Sequence, residues 1–124
     1  MNVPILKQGP YLIASIQAAL TDEDLVTLRD ALVGQVGKFR SRGVIVDVTA
    51  LDVMDSFSTR TLGDLAHMTR LRGAETVIVG IQPEVAFAMV QQRLVFGEVQ
   101  AALDLEEGLS YLNRKIQREE KKTR

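Results

Sequence analysis

Cysteine is absent from the 124 residues, and with it any disulfide framework, thiolate chemistry or zinc-finger ligand set. This fits a reducing compartment, so a cytoplasmic protein is expected. Histidine occurs once, as His67, which leaves no His-rich metal site. No excess of charge exists either: 15 basic and 16 acidic side chains give a formal charge of −1, so no global field draws the chain to nucleic acid or to an anionic membrane. Met1 to Pro10 lacks the apolar core of a signal peptide, and the longest apolar runs are strand-length, far short of the ~20 residues a bilayer requires. Neither a Gly-x-x-x-x-Gly-Lys-Ser/Thr run nor a Gly-x-Gly-x-x-Gly fingerprint is present, so nucleotide binding has no support. One unprocessed, soluble domain over residues 1–124 is expected, with no cofactor.

What is present is an alternation of strand-like and helix-like segments. Val3–Leu6 and Tyr11–Ile16 flank Lys7-Gln8-Gly9-Pro10, whose Gly-Pro pair marks a turn between two strands. Thr21 and Asp24 read as a capping box ahead of Leu25, Leu28, Leu32, Val36 and Phe39 at helical spacing. Gly34 and Gly37 each cost up to about 1 kcal/mol relative to alanine, so the second half of this helix is expected to be weaker. Val44–Val48 and Thr76–Ile81 are nearly unbroken apolar runs, as inner strands require. Between them residues 56–72 are helical, and Gln82-Pro83 opens a third helix expected to end at Gly97. Val99–Leu103 reads as a weak last strand and Asp104–Glu107 as the start of a final helix, whose charged end, 113–124, is expected to fray. The class is α/β, with right-handed parallel crossovers.

Asp55-Ser56-Phe57 puts a hydroxyl at the start of the second helix, where a phosphate would meet free backbone N–H groups and the positive end of the helix dipole. Ser56, Ser58, Thr59 and Thr61 all crowd that first turn. At about 100° per residue, Phe57, Leu62, Leu65, Ala66 and Met68 mark one face of the helix and Arg60, Gly63, Asp64, His67 and Arg70 the other. Ser56 projects with the polar face, Ser58 and Thr61 point toward the sheet, and Thr59 lies at the boundary. Ser56 is therefore the accessible phosphoacceptor candidate, with Ser58 and Thr59 secondary. Asp55 and Ser56 equally suit an ordinary helix cap and first-turn residue, and the local pattern leaves both readings open.

Phosphorylation of Ser56 would add about −1.5 to −2 charges and repel a partner that buries the neutral serine. Asp55, Ser56, Arg60, Asp64 and His67 border such a partner surface. His67 lies eleven residues of helix from Ser56, about 16 Å, which excludes a nucleophile–base pair. Asp47, Asp52, Asp55 and Asp64 gather near the strand's end, where the alternative is a divalent metal and a small α/β enzyme. Val85–Val90 is apolar around nearly its whole circumference, for core packing or for a second protein, including a homodimer partner.

Taken in order, Val3-Pro4-Ile5-Leu6, Ser15-Ile16-Gln17, Val46-Asp47-Val48-Thr49, Met54-Asp55-Ser56-Phe57 with Leu62-Gly63-Asp64, Gly80-Ile81-Gln82-Pro83 and 102–109 make the chain resemble a free-standing STAS domain, the sulphate-transporter and anti-sigma-factor-antagonist family. The likeness is strongest to the S-type antagonist of the bacterial stressosome scaffold. It implies a single STAS-like α/β domain with a mixed, mostly parallel sheet of four to five strands and about four helices mainly on one side. It also implies no catalytic residue, a switch Ser/Thr kinase that binds the unphosphorylated scaffold, a metal-dependent Ser/Thr phosphatase that resets it, and a sensor-bearing STAS paralogue in a large stress-response assembly. Ser56 occupies the family's phosphoacceptor position. Phe57 and Ser58 depart from the commoner antagonist motif, Phe57 in agreement with the S-type scaffold, and Ser58, Thr59 and Arg60 add hydroxyls and a charge. A free-standing antagonist of one anti-sigma kinase is the nearer alternative.

Overall fold

Two mainly apolar runs, each too short for a helix, become neighbouring strands at the centre of a sheet. The computed structural model describes residues 2–97 and 99–122. Along the chain lie β1 (Ile5–Gln8), β2 (Tyr11–Ser15), α1 (Asp22–Phe39), β3 (Gly43–Asp47), α2 (Ser56–Leu71), β4 (Glu75–Val79), α3 (Pro83–Gln91), β5 (Gln100–Ala102) and α4 (Leu105–Lys122). The five strands form one sheet in sequence order, with β1 antiparallel to β2 and every other pair parallel. This is the mixed, mostly parallel α/β architecture expected from the sequence.

Side chains alternate across a strand, and here both faces are covered. Val44, Val46 and Ile78 join Leu28, Leu32 and Val36 of α1, Leu62 and Leu65 of α2, and Val85 and Met89 of α3 in the main core. Ile45, Val77 and Val79 point the other way, onto Leu112 of α4. Three helices thus share one face and α4 alone covers the other, which is why β3 and β4 are apolar at nearly every position.

Helix ends follow local chemistry in two of three cases. Thr21 Oγ1 accepts the Asp24 N–H at 3.0 Å and Asp24 returns the bond, so the capping box that opens α1 is real. Pro83 stands in the first turn of α3, as its missing N–H allows. That helix, however, does not reach Gly97. Arg93 adopts φ 56°, and Leu94 N–H donates to the Met89 carbonyl at 2.8 Å, closing the helix without a glycine. Its circumference divides accordingly: Val85 and Met89 are buried while Phe87 and Val90 are 66% and 77% exposed.

The expected weakness of α1 after Gly34 is compensated. The Arg72 guanidinium fills the space beside Gly37 that a side chain there would need, and Arg72 Nη1 donates to the Val33 carbonyl at 3.2 Å. The absent side chain is therefore an interhelical contact. β1 begins two residues later than the Val3–Leu6 run, and β5 is three residues long.

The charged stretch after 113 continues α4 through Lys122, and ion pairs Lys115–Glu75 and Arg42–Glu119, each 2.8 Å, fasten it to the sheet. Those two bonds oppose the fraying expected from composition; Thr123 and Arg124 lie outside the described residues. Among the described residues no helix is long and apolar enough to cross a membrane.

Candidate functional site

Leaving β3, the chain must turn before α2, and two aspartates govern the turn. Asp47 Oδ1 accepts from Thr49 N–H at 2.9 Å and from Thr49 Oγ1 at 2.6 Å. Asp55 is the N-cap, in extended conformation, and its Oδ1 accepts the Ser58 N–H at 2.7 Å. That amide bond, then a bond to the Ser58 side chain, holds the Asp55 carboxyl below the ordinary carboxylate value. Gln82 Nε2 donates to the Thr49 carbonyl at 2.7 Å, tying this connection to the start of α3.

Ser56 is the first residue of α2 and is exposed. The cap has already claimed the Ser58 amide, and the Thr59 amide donates to the Asp55 carbonyl at 3.0 Å. The Ser56 and Phe57 amides remain as the helix-end donors a phosphate would meet, fewer than the bare sequence suggested. Ser58 is half-buried and lines a small apolar crevice with Leu20, Val53 and Met54. Thr61 is buried, as its helical angle implied. Thr59 is not at a boundary: it is 2% exposed, and its hydroxyl donates to the Asp55 carbonyl at 2.8 Å. A threonine hydroxyl can bond back to the preceding turn, and Thr59 makes that bond from a buried position.

Arg60, Asp64 and His67 are exposed on one side of α2 and, with Ser56, line an open groove of about 570 Å³ whose far wall is the segment 93–97. The groove exists because of Gly63. A Cβ there would lie 2.6 Å from the Phe96 carbonyl oxygen, so only glycine lets that backbone close on the helix. Arg60 also sits over the Phe57 ring, 5.8 Å from its centroid. Helical periodicity found the near wall. Arg93 and Phe96, from a connection 30 or more residues away, carry no local signal that would place them opposite Arg60.

The four aspartates do not converge. Asp47 and Asp55 each commit one carboxylate oxygen, to the turn and to the cap, and among the described residues no group of three His, Cys, Asp or Glu side chains is arranged to hold a metal ion. The metal-enzyme alternative therefore finds no ligand set in this turn.

Comparison with known proteins agrees with this layout. A serine-to-glutamate variant of RsbS from Moorella thermoacetica superposes with a TM-score of 0.80 at 29% identity, covering 94% of this chain and 99% of its own. A chain of the stressosome, a signal integration and transduction hub, matches with a TM-score of 0.74 at 30% identity over 91% of this chain and 98% of that one. In sequence, the RsbT co-antagonist protein RsbRA of Bacillus subtilis (strain 168) is 28% identical over 82 residues, 66% of this chain but 30% of the relative. The chain thus spans about a third of the length of the curated relatives it matches. Residues 2–107 match the family model of the STAS domain, and with the sheet order and helix placement described above the chain belongs to the STAS domain family.

Proposed function

We propose that this chain is a noncatalytic stressosome scaffold and anti-sigma-factor antagonist that sequesters a switch Ser/Thr kinase and releases it when Ser56 is phosphorylated. Likeness to RsbS and to a stressosome chain over more than nine-tenths of the sequence supports the general role. One observation carries the residue assignment: Ser56 is exposed at the first position of α2, beside a cap that its modification need not break. Asp55 holds the helix start from one residue upstream, so the fold can accept a phosphate while a docked partner cannot.

The size of the effect is adequate. One unit charge about 4 Å from a partner carboxylate near a protein surface costs on the order of 4 kcal/mol, and each 1.4 kcal/mol is about a tenfold loss of affinity. A phosphate carries more than one such charge. A metal-dependent phosphatase would reset the site, and sensor-bearing STAS paralogues would complete the assembly.

Incubation with the cognate kinase and ATP, followed by phosphosite mapping by mass spectrometry, tests this reading. Modification at Ser56 is expected, Ser56→Ala is expected to bind the kinase without being modified, and Ser56→Asp is expected to lose binding. Modification elsewhere, or full kinase affinity in Ser56→Asp, overturns it.

A further inference from the structure

The groove beside Ser56 is charged unevenly. Arg60 on α2 and Arg93 on the opposite wall line the same space with Arg70 and His67, and among the described lining residues Asp64 is the carboxylate. Neither Arg60 nor Arg93 forms an ion pair with a described residue, and Arg60's recorded contact is the Phe57 ring. The lining is also apolar, through half-buried Leu94, Phe96 and Val99 and through Val95, which is 76% exposed. Cations on both rims of an apolar channel complement a segment whose side chains alternate between carboxylates and aliphatic groups.

We propose that this groove receives an acidic peptide segment of a partner protein, its carboxylates paired with Arg60 and Arg93 and its aliphatic side chains laid over Leu94 and Phe96. A polypeptide fits better than nucleic acid. The chain as a whole has a formal charge of −1, and Asp64 stands in the groove, where it would oppose a continuous phosphate backbone. Resting on the phosphorylation reading above, a second consequence follows. Ser56 and Arg60 are four residues apart on one helix and line the same groove, so a phosphate on Ser56 competes with the peptide for the Arg60 guanidinium.

Arg93 supplies a clean variant. It holds φ 56°, where glycine is the unstrained residue, so Arg93→Gly removes the cation and is not expected to lower the melting temperature. The test titrates ¹⁵N-labelled full chain with a short peptide of glutamate and leucine, with its glutamine counterpart, and with a single-stranded oligodeoxynucleotide. Shifts confined to α2 and residues 93–99 are expected with the acidic peptide alone, weakened roughly two- to fivefold by Arg93→Gly and removed at about 0.5 M salt. Absent or scattered shifts, equal binding of the glutamine peptide, indifference to Arg93→Gly, or equal binding of the oligonucleotide overturns the site. Chain carrying phosphoserine at position 56 is expected to bind the peptide more weakly, and undiminished binding overturns the competition for Arg60. Failure of a kinase to modify Ser56 would instead count against the preceding reading, because the peptide titration on unmodified protein requires no kinase.

Discussion

Thr69 and Thr76 join their hydroxyls at 2.7 Å across the contact between α2 and β4, at 0% and 3% exposure. Thr69 Oγ1 also donates to the Ala66 carbonyl at 3.1 Å, so its proton is committed and Thr76 must be the donor of the shared bond. The pair is directional. Thr69→Val strands the buried Thr76 donor and is expected to cost about 1–3 kcal/mol, whereas Thr76→Val leaves Thr69 with its carbonyl and is expected to cost about 0.5–1.5 kcal/mol. The double variant should be less destabilised than the sum of the two, as read by a urea-denaturation cycle.

The cap at Asp55 makes a pH prediction. Its folded pKa is depressed below 3.8 by the Ser58 amide, so its contribution is fully present above the unfolded value and is lost as pH falls through the folded one. Asp55→Asn keeps an acceptor but no charge. The stability gap between the natural chain and Asp55→Asn should therefore be flat at neutral pH and close progressively below about pH 4, measured by chemical denaturation across the acid range.

Lys115 gives the opposite sign. The hydrogen bond that its ammonium donates to the Glu75 carboxylate raises its pKa above 10.5, so the pair contributes below the unfolded lysine value and is lost as pH rises through the folded one. With Lys115 40% exposed, the expected effect of Glu75→Gln is below about 1 kcal/mol. Melting curves from about pH 9 to 12 should show the two proteins converging.

Gly63→Ala should act on the groove rather than on the fold. The added methyl meets the Phe96 carbonyl at 2.6 Å, while the helix gains up to about 1 kcal/mol of propensity that offsets part of the overpacking, itself about 1–3 kcal/mol. A net loss of about 0–2 kcal/mol is expected. Amide shifts should move at residues 94–97 and stay in place along β3.

Much of this architecture is legible in the sequence because its signals are local. The runs at 44–48 and 76–81 are nearly unbroken since α4 covers the face that α1, α2 and α3 do not. Thr21, Asp24 and Asp55 act within three residues of themselves, so their roles can be read directly. Ser56 faces outward as helical angle implies. The failures lie where a side-chain bond, an unusual backbone angle or a distant segment decides. Thr59 is buried, with its hydroxyl bonded to the Asp55 carbonyl, a pairing that a helical wheel does not contain. The third helix stops at Gln91 because Arg93 takes a conformation usually left to glycine, and the run of apolar residues beyond it reads as helix. Arg93 becomes part of the site only because Gly63 admits the backbone at Phe96, a pairing no spacing rule reveals.

The amide of Gln82, holding the Thr49 carbonyl, adds a side-chain brace between two connections that already touch where Gly80 approaches Thr49. The segment between β3 and α2 is thereby bonded to the N-cap residue of α3, whose outward side carries Phe87 and Val90. Gln82→Ala would remove that bond alone and leave the backbone ladder of the five strands intact.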